Sequence, residues 1–282
     1  MSFFRPGGIP EALKILKEEE AAYIKPLAGG TDIGVARAEG TLKCDGFLDL
    51  SSIPGLSYIR EEDGYVVLGA LVTHGEAAAS PLIQNKAPIL SQACITVGSP
   101  QIRNRGTLGG NINHASPSGD SIPALMALNA EVKVESAQGE RRILLEEYFT
   151  GPGKTVRYNT ELLTEIWFKP LNEKYYCLYQ KLGQRKSLSC SKASMAFVAA
   201  HEADRITDVR IAMGAVAPTV VRGHRTEAFL EGKVLTKEII EQAAEIVRGE
   251  VSPIDDLRST ASYRKEMMGV LITKALHRFI RK

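Results

Sequence analysis

Two glycine turns constrain this chain more than any other feature of its sequence. The first is Ala28-Gly29-Gly30-Thr31-Asp32, and the second lies within the stretch QIRNRGTLGGNINHASPSGDSIP at 101–123. Glycine has no Cβ, so its backbone can approach a ligand closely. Successive backbone N–H groups in such turns form concave anion sites. Two turns of this kind predict a single long ligand that carries two phosphates.

The sequence around both turns supports that interpretation. Behind the second turn stand amides, hydroxyls and one carboxylate suited to a sugar or ribityl chain: Asn111, Asn113, Ser116, Ser118 and Asp120. The first turn separates a short apolar strand at 22–27 from a helix at 32–38, a setting typical of phosphate binding. Neither turn reads GxGxxG, and only Asp49 is a candidate, a weak one, for the acidic residue of a nicotinamide site. A nicotinamide-binding Rossmann domain is therefore disfavoured.

Composition excludes several classes of protein. The chain has 282 residues, 44% of them hydrophobic, and a net charge of +2, which gives no electrostatic reason to expect a nucleic-acid partner. No apolar run reaches the length of a membrane span. The first twenty residues turn charged quickly and have no signal-peptide core, so we expect a cytoplasmic protein.

A metal centre within this chain has little support from the sequence. The four cysteines, Cys44, Cys94, Cys177 and Cys190, form no CxxC pair. We interpret them as small apolar residues or inert thiols. The five histidines are scattered and no HExxH occurs, so neither zinc nor an iron–sulfur cluster is expected here.

The hydrophobic periodicity predicts an α+β fold in two domains. The first spans 1–172, and the second spans 173–282. Strands are expected at 22–27, 47–50, 56–60, 65–68, 131–135, 141–145 and 161–169. Helices are expected at 10–20, 32–38, 73–79, 85–96 and 122–128. The second domain is predicted to hold three antiparallel strands (175–181, 193–203, 206–217) with three helices (225–231, 236–248, 260–280) on one face.

Taken together, AGGTDIG and QIRNRGTLGGNINHASPSGDSIPALMAL resemble the FAD-binding subunit of the molybdenum hydroxylases, the family of bacterial xanthine dehydrogenase and carbon monoxide dehydrogenase. The resemblance runs from about residue 3 to the end of the chain. It implies a two-part α/β FAD-binding module of the PCMH/vanillyl-alcohol-oxidase-like type, with lobes at about 1–55 and 56–172, followed by a sheet with helices packed on it. That architecture agrees with the domain division read from the periodicity.

The resemblance also implies roles for individual residues. The first FAD loop would be Lys25, Pro26, Leu27, Ala28, Gly29, Gly30, Thr31 and Asp32, and the second would be Gly106, Thr107, Gly109, Gly110 and Asn111. Their backbone amides would face the pyrophosphate from two sides. Asp120 would accept hydrogen bonds from cofactor hydroxyls, Val97 and Leu163 would pack on the cofactor rings, and Lys181 would lie near the isoalloxazine, where a cation favours a reduced anionic flavin.

Three positions depart from the family pattern. Gly119 stands where many relatives have serine, and His114 stands where a small or hydroxyl residue is common. Residues 187–191 read SLSCS where the family often has alanine-x-aspartate-isoleucine-alanine, a segment that lies near the flavin in relatives. Two further features have two readings each. Arg103-Asn104-Arg105 either neutralises an anion or is a solvated loop, and the helical stripe Met267, Leu271, Ala275 and Phe279 is core or interface.

The resemblance implies an oxidoreductase flavoprotein subunit. FAD would receive electrons from 2Fe-2S clusters on a small partner chain and pass them to an external acceptor such as NAD or a quinone. The substrate would be oxidised on a large, molybdopterin-binding chain, in a dimer of heterotrimers; we expect a xanthine-like substrate first, and carbon monoxide or an aldehyde second. Two alternatives stay open: a stand-alone flavin reductase of the same fold, and a flavin-free assembly protein.

Overall fold

A small parallel sheet forms the beginning of the fold. The computed structural model describes residues 1–185 and 188–281. The first elements are β1 (Ser2–Phe4), α1 (Ile9–Glu18), β2 (Ile24–Leu27), α2 (Thr31–Ala38) and β3 (Gly46–Asp49). The strands pair in the order β1-β3-β2, both pairs parallel. Because parallel strands leave their carboxyl ends at one edge, the first glycine turn projects from the edge of this sheet.

A five-stranded antiparallel sheet with many short helices follows. Its elements are β4 (Ile59–Glu62), β5 (Tyr65–Gly69), α3 (His74–Ala79), α4 (Pro81–Lys86), α5 (Pro88–Cys94), α6 (Pro100–Arg103), α7 (Leu108–His114), α8 (Ser121–Ala127), β6 (Glu131–Ser136), β7 (Gly139–Leu144), α9 (Leu145–Tyr148), β8 (Phe149–Gly151), β9 (Lys154–Thr155) and β10 (Leu162–Phe168). The strand order is β4-β5-β10-β6-β7. The helices α5, α7 and α8 share one buried core with β5, β6 and β10.

The last part of the chain is an antiparallel sheet followed by helices. It comprises β11 (Tyr176–Leu182), β12 (Ala193–Glu202), β13 (Arg205–Gly214), β14 (Val221–Arg222), α10 (His224–Leu230), α11 (Lys237–Arg248) and α12 (Ala261–Ile280). The three predicted strands are present, and the two-residue β14 adds a fourth at the edge. So short a strand has no periodicity that a sequence pattern reveals.

Both faces of this last sheet are buried, and β12 shows how. Met195 and Phe197 point into the core shared with α11 and α12, as the prediction of helices on one face requires. Ala196 and Val198 point the other way, into the core that contains α5 and α8. Side chains alternate between the faces of a strand, so β12 joins the two cores.

Other elements differ from the sequence prediction for local reasons. β1 was not predicted, because three residues at the start of a chain show no period. The helix expected at 85–96 is replaced by α4 and α5, since Pro81 and Pro88 each open a helix of their own. A hairpin turn at Asp63-Gly64 joins β4 to β5, with φ of 49° and 79°, as a turn of the primed type requires. The proposed divisions at 55/56 and 172/173 stay predictions; they fall between β3 and β4 and between β10 and β11.

Within the described ranges, no helix is both long enough and apolar enough to cross a membrane.

Candidate cofactor-binding site

The first glycine turn leads directly from β2 into α2. Gly30 is the N-cap residue of α2 and has a φ of +74°, a left-handed conformation that glycine adopts without strain. The first N–H groups of a helix have no partner within it. This turn therefore exposes them at the edge of the sheet, where an anion is stabilised.

The second glycine turn begins α7 and is held in place by hydrogen bonds. The Thr107 side chain caps the helix by accepting a hydrogen bond from the Gly110 N–H at 3.0 Å. The Gly109 N–H donates to the Ala70 carbonyl at 2.9 Å, and a Cβ on Gly109 would lie 2.7 Å from that oxygen. Gly109 is thus required by packing on the end of β5, in addition to any ligand.

The two turns touch one another. A Cβ built on Gly29 would lie 1.8 Å from the carbonyl oxygen of Arg105, so only glycine fits at that position. Next to it, a Cβ on Gly106 would lie 3.4 Å from Thr31 Oγ1. The sequence predicted that both turns face one ligand, and the structure brings them together at one cleft.

That cleft has a volume of about 400 Å³ and runs between the first sheet and the second, within the size range of small-molecule sites. Most of the predicted cofactor-binding residues line it: Lys25, Pro26, Ala28, Gly29, Gly30, Thr31, Asp32, Val97, Gly106, Thr107, Gly109, Gly110, Asn111 and Leu163. Leu27, Asp120 and Lys181 do not line it.

Asp120 and Lys181 instead bind each other beside the cleft. Lys181 Nζ lies 2.5 Å from Asp120 Oδ2, with both side chains about nine-tenths buried. Asp120 Oδ1 also accepts hydrogen bonds from Tyr179 at 3.1 Å and Ser191 at 2.6 Å. Lys181 donates to the Thr96 carbonyl at 3.1 Å, and the next residue, Val97, lines the cleft. Burial and the Asp120 carboxylate raise the pKa of Tyr179 well above its ordinary value.

Several polar residues of the cleft were not selected by sequence reasoning. They are Tyr23, His74, Arg157 and Glu161; Asn113, which the sequence marked as suited to a sugar or ribityl chain, lines the cleft as well. His74 belongs to a recognisable local pattern, because it follows Thr73, which forms a capping box with Glu76. A Thr-x-x-Glu pattern marks a helix start and places His74 in the first turn, but nothing in the pattern says that this turn meets the cleft.

Charged residues of the cleft are held by neighbours. Lys25 Nζ lies 5.9 Å from the centre of the Tyr23 ring. Burial acts to raise the pKa of Glu161, but the Arg141 hydrogen bonds and charge outweigh it and leave the pKa lowered. Arg157 donates to the carbonyls of Tyr158 and Glu161. Glu161 is therefore ionised at neutral pH and neutralised by arginine.

The positions that depart from the family pattern are placed as follows. His114 lines the cleft, and its Nδ1 lies 3.7 Å from Asp32 Oδ2, so this pair spans the two turns. A Cβ on Gly119 would lie 2.8 Å from Ile122 Cδ1. Of the segment 187–191, Ser187 lies outside the described residues, and Ser191 is bonded to Asp120. Arg103 donates to the Val97 carbonyl at 3.0 Å.

Comparison with known families identifies the family of this chain. Residues 1–168 match the model of the FAD-binding domain in molybdopterin dehydrogenase, and residues 179–279 match that of the CO dehydrogenase flavoprotein C-terminal domain. The chain belongs to the FAD-binding medium subunits of the molybdenum hydroxylases. Its cofactor is FAD, and it is a subunit of an oxidoreductase.

Individual members of this family cover nearly all of the chain. The carbon monoxide dehydrogenase medium chain of Hydrogenophaga pseudoflava is 31% identical, over 98% of this chain and 95% of that one. The glyceraldehyde dehydrogenase medium chain of Sulfolobus acidocaldarius is also 31% identical, over 97% and 96%. The solved structure of the Hydrogenophaga carbon monoxide dehydrogenase superposes with a TM-score of 0.95, over 98% of this chain and 96% of that chain.

The residues present fit the family's cofactor. Two glycine turns abut so tightly that a side chain at Gly29 has no room, and the first helical N–H groups of α2 open at their junction. Abutting glycine turns beside a helix N-terminus are chemically suited to a diphosphate. Val97 and Leu163 place apolar side chains in the same cleft, as a flat ring system requires.

Proposed function

We propose that this chain is the electron-transfer subunit of a cytoplasmic molybdenum hydroxylase. FAD bound in the cleft would accept electrons from iron–sulfur clusters on a small partner chain and pass them to an external acceptor such as NAD or a quinone. The observation that carries the proposal is the direct contact between the two glycine turns, Gly29 against Arg105. Because they meet, one pyrophosphate is within reach of both.

The chain's own residues would hold and orient the cofactor. In this proposal 25–32 and 106–111 grip the pyrophosphate through main-chain N–H groups, and Val97 and Leu163 pack on the rings. The buried pair of Asp120 and Lys181 lies next to the cleft, because Lys181 donates to the carbonyl of Thr96 and the following residue, Val97, lines the cleft. We propose that Asp120 meets cofactor hydroxyls there and that Lys181 supplies positive charge near the isoalloxazine.

No side chain needs to act as an acid or base. FAD supplies the redox chemistry when bound, and the protein fixes its position and potential. The carboxylate of Glu161 is neutralised by Arg141, and the Asp120 carboxylate is paired with Lys181. Both are better suited to fixed structural charge than to proton transfer.

Partner chains follow from the chemistry. Iron–sulfur clusters need several cysteines in reach of each other, and the four cysteines here are spread between residues 44 and 190. We propose a 2Fe-2S small subunit and a molybdopterin-binding large subunit, assembled as a dimer of heterotrimers. The relatives are themselves named as medium chains.

The substrate would be oxidised on the large chain. Relatives with the same 31% identity are named for carbon monoxide and for glyceraldehyde, so similarity in the flavin subunit does not select a substrate. We keep a purine-like heterocycle, carbon monoxide and an aldehyde as the candidates, and the large chain's own pocket decides among them.

The proposal is tested by affinity purification of the tagged chain from its native host. We expect two partners, a large chain with molybdopterin and a small chain with iron, and a flavin spectrum that bleaches when the complex meets its substrate. A chain that is purified alone and reduces a small substrate with NADH would favour the stand-alone reductase. A chain that shows no flavin spectrum, even after FAD is added, would favour the assembly protein.

A further inference from the structure

One buried histidine is left unexplained by the loops described so far. His74 is the first residue of α3, and its side chain is only 2% exposed. It was not part of either glycine motif, yet it lines the same cleft. A buried polar side chain requires partners, because an orphaned donor or acceptor is costly.

His74 is fixed directly beneath the second glycine turn. Its backbone N–H donates to the Gly106 carbonyl at 3.0 Å, and the preceding residue, Thr73, forms a β-bridge with Thr107. A Cβ on Gly106 would lie 3.4 Å from the ring atom Cδ2 of His74, and equally far from Thr31 Oγ1. Side chains from two separate loops therefore converge on the point where Gly106 has none.

The ring of His74 has no hydrogen-bond partner at Nδ1, which is fully buried. Burial, together with the positive charge of Arg103, lowers the pKa of His74 to about 4. The ring is thus neutral at neutral pH and carries one proton. Buried unpaired N–H groups are rarer than unpaired acceptors, so we assign the proton to Nε2, the nitrogen bonded to Cδ2.

We propose that His74 is a further FAD-binding residue, whose Nε2–H donates a hydrogen bond to an oxygen of the pyrophosphate held between the two glycine turns. The inference rests on the proposed placement of FAD in this cleft. A neutral donor beside main-chain amides binds an anion without adding a charge that titrates in the physiological range. His74 would thus add one side-chain donor to the main-chain N–H donors of the second loop.

The experiment compares FAD with a ligand that lacks both the diphosphate and the adenosine. The chain is stripped of flavin, and the dissociation constants of FAD and of riboflavin, which has no phosphate, are measured by fluorescence titration. The variants are His74→Leu, which removes the donor, and His74→Gln, which keeps an N–H donor at a similar reach. Gly34→Ala, in α2 with no atom within 4 Å of the new Cβ, is the matched control.

We expect His74→Leu to weaken FAD binding about 10- to 100-fold, the usual effect of losing a hydrogen bond to a charged group. Riboflavin binding stays within about twofold, and His74→Gln recovers most of the loss for FAD.

Any of the following results would overturn the inference. If FAD binding is unchanged in His74→Leu, the ring does not contact the pyrophosphate. If FAD and riboflavin lose the same affinity, the substitution has changed the shape of the cleft and not a phosphate contact. A urea midpoint that falls in both variants, with FAD binding lost in both, assigns His74 a purely structural role. A wild-type chain that binds riboflavin and FAD equally overturns the placement of the pyrophosphate itself, and a chain that binds neither overturns the proposed function as well.

Discussion

Lys181 Nζ lies 2.5 Å from Asp120 Oδ2, in a buried pair that ties β11 to the start of α8. The pair joins the two parts of the chain, because β11 belongs to the last sheet and α8 to the helices beneath it. Tyr179 and Ser191 complete the shell around Asp120. Two of the residues predicted to bind FAD, Asp120 and Lys181, therefore also tie the first part of the chain to the last sheet.

This pairing predicts a large stability cost for Lys181→Met. The substitution leaves the Asp120 carboxylate buried without its cation, and breaking such a pair costs about 3–5 kcal/mol. The free energy of unfolding of the flavin-free chain in urea measures it. Lys14→Met is the control, because Lys14 pairs with Glu18 in full solvent contact and exposed pairs contribute about 0–1 kcal/mol.

The double variant Lys181→Met with Asp120→Asn sharpens that test. Removing both charges takes away the unpaired carboxylate, so we expect it to recover a large part of the loss. A double variant as unstable as Lys181→Met alone would contradict the account, since the cost would then come from lost packing of the lysine stem.

A second prediction concerns the contact between the glycine turns. Gly29→Ala places a methyl group 1.8 Å from the Arg105 carbonyl oxygen, so the two turns must separate. We expect the purified variant to lose its yellow colour, measured as the ratio of flavin absorbance to protein. Gly34→Ala, a few residues along α2 with open space around the new Cβ, should retain FAD and gain about 0.5–1 kcal/mol from helix propensity.

Retention of full FAD by Gly29→Ala would sink the assignment of this loop. Gly110→Val is a second probe from the opposite side of the cleft. A Cβ there would lie 2.8 Å from Thr107 Oγ1, the atom that caps α7, so we expect the cap to be displaced and FAD to be lost.

The sequence predicted those elements whose signals are local. The two turns were predicted because their glycines and polar residues stand close together in the sequence. The helices α10, α11 and α12 were predicted because their apolar residues recur at helical spacing over several turns. The sequence predicted only that the two turns face one shared ligand, and the close approach of Gly29 to Arg105 was not predicted. No local pattern encodes an approach between two loops, since it depends on how separate sheets pack.

The same limit explains the residues that were missed or placed differently. His74 is marked as part of a helix start, but its burial depends on the second turn lying above it. Asp120 and Lys181 were each assigned to the cofactor separately, and nothing in their sequence spacing indicates that they bind each other. Pairing across sheets is decided by tertiary packing, where propensity has little influence.

A third prediction tests the helical stripe on α12. Phe279 is 4% exposed, and its ring centre lies within 6.1 Å of those of Tyr176, Phe197 and His201. Phe279→Ala should lower the free energy of unfolding by about 3–5 kcal/mol. Met267→Ala, at the half-buried end of the same stripe, should cost about 1 kcal/mol. Equal costs would mean that the stripe is uniformly exposed or uniformly buried.

A final prediction concerns acid. Asp256 Oδ1 accepts hydrogen bonds from the N–H groups of Arg258 and Ser259 and from the buried Arg264 side chain at 2.6 Å. Burial acts to raise the pKa of Asp256, but these hydrogen bonds and the charge of Arg264 outweigh it and bring the pKa down to about 2. The carboxylate therefore anchors the loop before α12 in its ionised form.

The direction of the pH effect follows from these pKa values. In the unfolded chain Asp256 binds its proton near pH 3.8, its ordinary value, whereas in the folded chain it does so only near pH 2. Since the unfolded state binds more protons in between, the stabilisation is complete above about pH 4 and is lost as the pH falls towards 2. We expect Asp256→Asn to be less stable than wild type at pH 6 and to converge with it by about pH 2.

Urea unfolding at a series of pH values measures this convergence. Asp204→Asn is the control, because Asp204 stands in an exposed turn with a φ of 67°, a conformation that asparagine adopts readily. Its profile should run parallel to that of the wild-type chain. If the Asp256→Asn profile were parallel as well, the loop would be held by the hydrogen bond from Arg264 to the Ala215 carbonyl and not by the carboxylate.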